Sequence, residues 1–130
     1  MPRTNGGESG LFGSSNYIEV PANADVYSGG DIVLEDDGNG QVFLSDAGGV
    51  GAFFVPYDQT VDDDGDGLNV MRVGQVVFTK FKAACDVGTK VEPSDAAEGE
   101  VMAAATDLNV CGIAMENVTD TDQYFAVVII

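Results

Sequence analysis

The chain of 130 residues carries 22 acidic side chains against 5 basic ones and has no histidine, which gives a formal net charge of −17. Since 45% of the residues are hydrophobic, the chain is predicted to fold as one domain and not to remain a disordered acidic segment. So many carboxylates argue against binding to nucleic acid or to anionic membranes, because phosphate recognition requires lysine and arginine.

The first sixteen residues, MPRTNGGESGLFGSSN, are rich in glycine and serine, which is typical of a flexible arm. After Met1, the large apolar residues of this arm are Leu11 and Phe12. Two interpretations stay open, an arm that anchors on a partner through these two side chains and a tail without contacts. Residues 1–10 lack the apolar stretch of a secretory signal peptide, which favours a product made and used in the cytoplasm.

Residues 17–130 are predicted to form a single all-β domain. Valine and isoleucine total 23 against 5 leucines, and 17 glycines punctuate the chain at short intervals. The clearest hairpin joins the apolar runs of residues 31–35 and 41–44 through the turn residues Asp36-Asp37-Gly38-Asn39-Gly40. Further strands are expected near residues 17–20, 52–55, 68–73, 75–82, 89–92, 100–104, 110–116 and 124–130, whereas a short helix over 96–105 is left open because Gly99 interrupts it.

The last of these strands, Tyr124–Ile130, has no polar residue after Tyr124. A run that is apolar on both faces is expected to be covered on both faces. It would therefore lie either in the centre of a closed barrel or against another subunit, since an exposed strand of this kind would aggregate. On this basis we predict a subunit interface at Phe125, Val127 and Ile129.

Catalytic chemistry is not indicated by the sequence. Without histidine there is no Ser-His or Cys-His pair and no imidazole metal site, so we do not expect an enzyme. Cys85 and Cys111 lie among small apolar residues and are interpreted as buried thiols, although a disulfide between them is an alternative.

The acidic segment Asp62–Gly67 has the spacing of a metal-binding loop. Asp62, Asp64 and Asp66 are followed by Gly67, as in the opening of a calcium loop, where alternate carboxylates converge on one hard cation. The twelfth position is Val73, where an EF-hand requires a glutamate. The three aspartates are therefore candidate ligands of Ca²⁺ or Mg²⁺, and the alternative is a solvated acidic turn.

The charge also indicates a salty environment. A surface with this many carboxylates repels itself in dilute solution. Molar salt shortens the Debye length to about 3 Å and removes that penalty. We interpret the composition as that of a protein from a halophilic organism or from a virus that infects one.

From Val73 onwards the order of turns and strands resembles a known family. The motifs are VGQVV at 73–77, CDVGTKV at 85–91, GIAMENV at 112–118 and YFAVVII at 124–130. This pattern is similar to that of the small capsid-decoration (cement) proteins of tailed viruses, and the similarity covers roughly residues 28–130. The acidic segment 62–67 and the sequence Gly88-Thr89-Lys90 depart from the usual pattern.

The resemblance implies a compact β-barrel or β-tulip domain that sits as a homotrimer on the outer face of an icosahedral head. Its partner would be the major capsid protein, its location the virion, and its binding would involve neither nucleic acid nor membrane. The resemblance and the charge together suggest a tailed virus of halophilic archaea. A different class of function, a calcium-binding β-domain of a haloarchaeal surface or adhesion protein, remains an alternative.

Overall fold

The computed structural model describes residues 3–8, 17–33, 38–45, 53–71 and 73–130. In these residues the chain forms strands and turns and no helix, which confirms the all-β prediction. The strands are β1 (Gly7–Glu8), β2 (Tyr17–Pro21), β3 (Asp25–Tyr27), β4 (Ile32–Val33), β5 (Phe53–Phe54), β6 (Gln59–Val61), β7 (Gly67–Met71), β8 (Val76–Lys80), β9 (Lys90–Pro93), β10 (Val101–Ala103), β11 (Gly112–Ala114) and β12 (Tyr124–Ile129).

The strands form one large sheet and three short ribbons. The large sheet is antiparallel with the order β1-β8-β12-β11-β9-β10, and the ribbons pair β2 with β7, β3 with β6 and β4 with β5. The outermost strands of the large sheet, β1 and β10, do not pair with each other in the described part of the chain. The domain is thus all-β with open sheets, where a closed barrel had been one expectation.

Two apolar cores fill the space between these sheets. The sheet core lies under the large sheet, and the ribbon core lies among the ribbons. The sheet core contains Ile32, Phe54, Met71, Val77, Phe81, Val91, Val101, Cys111, Ala114, Val118, Phe125, Val127 and Ile129. The ribbon core contains Ala22, Tyr27, Val33, Val42, Val55, Val61, Leu68 and Val70.

Strands β4, β5 and β7 lie between the two cores. In β4, Ile32 belongs to the sheet core and its neighbour Val33 to the ribbon core. Near the end of β7, Met71 belongs to the sheet core and its neighbour Val70 to the ribbon core. Because successive side chains of a strand point to opposite faces, a strand buried on both faces needs apolar residues at every position. This explains why β4 and β5 have no polar residue.

The terminal strand β12 is fully buried on one face only, although its sequence is as apolar as those of β4 and β5. Phe125, Val127 and Ile129 are buried in the sheet core, while Tyr124, Ala126 and Val128 are only half-buried on the opposite face. The prediction of a subunit interface at the first three residues is therefore corrected. Those side chains are enclosed by their own chain, and the alternate residues face outward.

The described part of the N-terminal arm, residues 3–8, is more structured than its composition suggests. Within residues 3–8, β1 pairs with the edge of β8, with Gly7 opposite Phe78 and Glu8 opposite Val77. The Tyr124 N–H donates to the Arg3 carbonyl at 2.9 Å, and the Glu8 N–H donates to the Pro56 carbonyl at 3.0 Å. Leu11 and Phe12 lie outside the described residues, so their anchoring role stays a prediction.

Of the hairpin expected at residues 31–44, residues 34–37 lie outside the described residues. Val33 and Leu44 form an isolated antiparallel bridge, but the ladder partner of β4 is β5. Residues 96–105 form turns and β10 instead of a helix. Both cysteines are free thiols, with Cys111 buried and Cys85 half-buried. Among the described residues, no helix is long and apolar enough to span a membrane.

Candidate functional site: the outer sheet face

The outward side of the large sheet carries a contiguous apolar surface. Cross-strand register places Ile113 beside Val128 and Val128 beside Val76, and it places Ala126 beside Phe78. We call these five residues the outer face. Val76 is buried by its neighbours, and the other four are half-buried. Antiparallel sheets with one solvated side normally present polar residues there, so an apolar outward side marks a surface suited to contact.

Three cations lie around the outer face. The Arg3 guanidinium is 4.3 Å from the centre of the Phe78 ring, and the Lys80 ammonium is 5.6 Å from the centre of the Tyr124 ring. Lys90 lies opposite Ile113 in the register of β9 and β11. A cation over an aromatic ring is attracted by the negative face of the ring, which holds the side chains of Arg3 and Lys80 against the sheet.

Two of these cations neutralise nearby carboxylates. Arg3 forms an ion pair with Glu116, and Lys90 pairs with Asp107 at 3.2 Å. Partial burial opposes ionisation of Glu116, but hydrogen bonds from Arg3 and from the Ala126 N–H together lower its pKa below the ordinary value. The outer face is therefore close to neutral in a protein with a formal net charge of −17.

The remaining described cation, Lys82, forms an ion pair with Asp95 outside the outer face. Three of the four basic residues in the described part of the chain, Arg3, Lys80 and Lys90, thus surround one surface. Apart from Lys82, the other charged side chains of the described residues are acidic. A partner that is itself acidic would meet the least repulsion at the outer face.

The acidic segment 62–67 makes a tight turn that is tied to the link between β2 and β3. Asp64 accepts a hydrogen bond from the Ala24 N–H at 2.7 Å, and the Gly65 N–H donates to the Ala22 carbonyl at 2.9 Å. Gly65 has a φ of +94°, a conformation that glycine adopts without strain. Among the described residues, no three Asp, Glu, Cys or His side chains are grouped to hold a metal, so Asp62, Asp64 and Asp66 are not brought together as ligands.

A second acidic group lies where the turn at residues 28–31 meets the turn at residues 95–100. Burial is the main cause that raises the pKa of Asp31 to about 6, and the nearby carboxylates of Asp58, Asp25 and Glu100 add to it. The Ser28 N–H donates to Asp31 at 2.8 Å and opposes the shift. Burial also raises the pKa of the Cys85 and Cys111 thiols, which favours their protonated form.

The outer face was not identified from the sequence, although a signal was present. In β8, the side chains of Val76, Phe78 and Lys80 point outward, and those of Val77 and Thr79 point inward. Both sets contain apolar residues, so the strand pattern alone does not tell which one faces the core. That choice depends on which side of the large sheet the ribbons cover.

Comparison with known proteins gives an informative similarity, and it lies in the fold. No protein-family model matches the chain, and no curated protein matches it by sequence. Among solved structures, the chain is similar to the N base of the head fiber gp8.5 of bacteriophage phi29, with a TM-score of 0.64 and 13% sequence identity. The similarity covers 88% of this chain and 95% of that one. The chain therefore shares the fold of a head-fiber base over nearly its whole length.

Proposed function

We propose that this protein is a structural component of a virus particle that decorates the outer face of an icosahedral capsid. The observation that carries the proposal is the fold shared with a phage head-fiber base over 88% of the chain. The capsid-decoration pattern of residues 73–130 supports the same class of protein from the sequence. The proposed partner is the major capsid protein, and the proposed location is the surface of the virion.

The charge supports a virus of a halophilic host, with halophilic archaea as the proposed host group. A protein with a net charge of −17 meets strong repulsion from acidic neighbours in dilute solution but little in molar salt. Contacts in such a medium depend on apolar area and hydrogen bonds more than on ion pairs. The outer face offers apolar area, which makes it the best candidate contact surface among the described residues.

We assign the subunit contact of the proposed homotrimer to the outer face. Val128 lies in its centre, between Ile113 and Val76. Burial of this apolar surface against other copies would stabilise the assembly at about 25 cal/mol for each Å² removed from water. The acidic remainder of each copy would stay in solvent, where salt screens it.

The subunit contact is tested by a matched pair of substitutions. Val128→Lys places a charge in the centre of the outer face, whereas Val26→Lys places the same charge on β3, where Val26 is 63% exposed. In molar KCl, light scattering should give a trimer for the wild type and for Val26→Lys, and a monomer for Val128→Lys. Circular dichroism should show that the Val128→Lys monomer is folded. A trimer that persists in Val128→Lys would contradict the assignment of the contact.

The virion role is tested on particles. Mass spectrometry of purified virions should detect this chain at hundreds of copies in each head. Absence of the chain from the particles would contradict the proposed function. A monomeric wild-type protein that is nevertheless abundant in virions would contradict the trimer alone.

A further inference from the structure

An open groove of about 520 Å³ lies beside the N-terminal segment, and none of its described lining residues is among the five residues of the outer face. Three segments and the first residue of β12 build it. Its side chains come from Asn5, Ser28, Pro56, Tyr57, Asp58 and Tyr124. The groove thus combines two aromatic rings and a proline with an amide, a hydroxyl and a carboxylate.

The aromatic rings are held in place by contacts outside the groove. The Tyr57 ring packs edge-to-face on Tyr17, with 5.6 Å between the ring centres. The Tyr57 hydroxyl accepts a hydrogen bond from the Asn69 side-chain amide at 2.8 Å. Tyr124 is held by the Lys80 ammonium at 5.6 Å from its ring centre. Fixed rings lose little conformational entropy when a ligand stacks on them.

Two glycines form the floor of the groove. A Cβ at Gly6 would lie 2.1 Å from the Gly29 carbonyl oxygen and 2.5 Å from the Tyr124 ring. A Cβ at Gly29 would lie 2.6 Å from the Gly6 carbonyl oxygen. The two backbones approach so closely that neither position accommodates a side chain, so only glycine fits there.

The polar residues of the groove determine the class of ligand. Asp58 is oriented by the Gly29 N–H, which donates to its carboxylate at 2.8 Å. Among the described residues that line the groove there is no lysine or arginine, which disfavours phosphates, sulfates and carboxylates as ligands. A neutral polar ligand with apolar patches fits best, because it can stack on tyrosine and exchange hydrogen bonds with Asp58, Asn5 and Ser28.

We propose that this groove binds neutral saccharides. Sugar rings present C–H faces that pack on aromatic rings, while their hydroxyl groups donate to carboxylates and accept from amides. Neither interaction depends on ion pairing, so binding would persist in molar salt. This activity is independent of the proposed virion role, since it rests on the groove and not on the outer face.

The test uses the full chain in molar KCl against a panel of immobilised neutral glycans that includes glucosides, galactosides and mannosides. Saturation-transfer NMR with the corresponding methyl glycosides checks each interaction in solution. We expect binding to at least one class. Tyr57→Ala should weaken it by roughly tenfold, the fold-change that corresponds to loss of one stacked ring, whereas Tyr57→Phe keeps the ring and should retain most of it.

Val26→Ala, on an exposed position of β3, is the matched control and should bind as the wild type does. Circular dichroism establishes that each variant is folded. Lack of binding to every neutral glycan at millimolar concentration would overturn the proposal, as would equal binding by Tyr57→Ala. A preference for quaternary ammonium compounds or for peptides over glycans would also overturn it.

Discussion

At the scale of single residues, Asp31 shows how burial without a cation changes the behaviour of a carboxyl group. It receives a hydrogen bond from the Ser28 N–H, but Asp25, Asp58 and Glu100 provide only negative charge around it. Gly99 packs so closely that a Cβ there would lie 2.8 Å from an Asp31 carboxylate oxygen. The charged form of Asp31 therefore destabilises the folded protein at neutral pH.

The stability contributed by Asp31 is predicted to depend on pH. The pKa of Asp31 is raised from 3.8 to about 6 on folding, so its protonated form favours the folded state. The contribution is complete below the unfolded value of 3.8 and is lost as the pH rises through about 6. The change amounts to at most about 3 kcal/mol.

This prediction is checked by urea unfolding in molar KCl between pH 4 and pH 7. Asp31→Asn keeps a hydrogen-bond acceptor for Ser28 but does not titrate. The wild type should lose stability relative to this variant as the pH rises. Parallel curves for the two proteins would contradict the raised pKa.

A second prediction concerns Asp64. Asp64→Ala removes the acceptor of the Ala24 N–H and should lower the free energy of unfolding by about 1 kcal/mol. If the residue acts only as this acceptor, the loss is the same with and without EDTA, as measured by thermal melting. A wild-type protein that EDTA destabilises, with no such effect on the variant, would show instead that the segment holds a cation.

At the scale of elements, most strands were predictable from local sequence, and the failures share a physical cause. The Val/Ile runs bounded by glycine turns correctly located β2, β5 and β7 to β12. Strands β1, β3 and β6 were missed because they are two or three residues long and rich in polar residues or glycine. They exist through partners 32 to 71 positions away, as in the pairs Tyr27–Gln59 and Gly7–Phe78, and a local pattern does not contain such partners.

The candidate site was less predictable than the fold. Apolar residues on both faces of β12 indicated a contact surface, but the sequence does not specify which face the ribbons cover. The chosen residues, Phe125, Val127 and Ile129, belong to the sheet core, and the outward set was overlooked. The composition of residues 3–8 is typical of a flexible arm. The ion pair that helps to hold them joins Arg3 to Glu116, 113 positions away, and a local pattern does not contain such a partner.

A third prediction follows from β1. Deletion of residues 1–8 removes the strand that covers the edge of β8 and the ion pair of Glu116. We expect a lower melting temperature and more aggregation, because an exposed strand edge templates pairing with other chains. Arg3→Met, which keeps the strand and removes only the charge, should have the smaller effect. A truncated chain that melts like the wild type would show that β1 adds no stability.

At the scale of the whole molecule, charge sets the conditions under which the fold is stable. With 22 acidic residues against 5 basic ones, repulsion acts across the entire surface and not at one pair of residues. The three described ion pairs involve partly exposed side chains and offset little of it. The two cores must therefore hold the fold against a charge that only the solvent screens.

The fourth prediction is that the melting temperature rises steeply between dilute buffer and molar KCl. Screening of the surface carboxylates is the expected cause, so NaCl should act like KCl at equal ionic strength. Differential scanning calorimetry measures the transition directly. An unchanged melting temperature over this range would contradict the interpretation of the protein as halophilic.

The placement of β4, β5 and β7 between the two cores has a consequence for the tolerance of the chain to changes in length. A one-residue insertion in β4 would exchange Ile32 and Val33 between the cores and misplace both side chains at once. An insertion in the exposed turn at residues 105–108 would disturb neither core. In a library of single-residue insertions, surviving variants should concentrate in such turns and be depleted in the shared strands, so that homologues diverge in loop length while these strands keep their spacing.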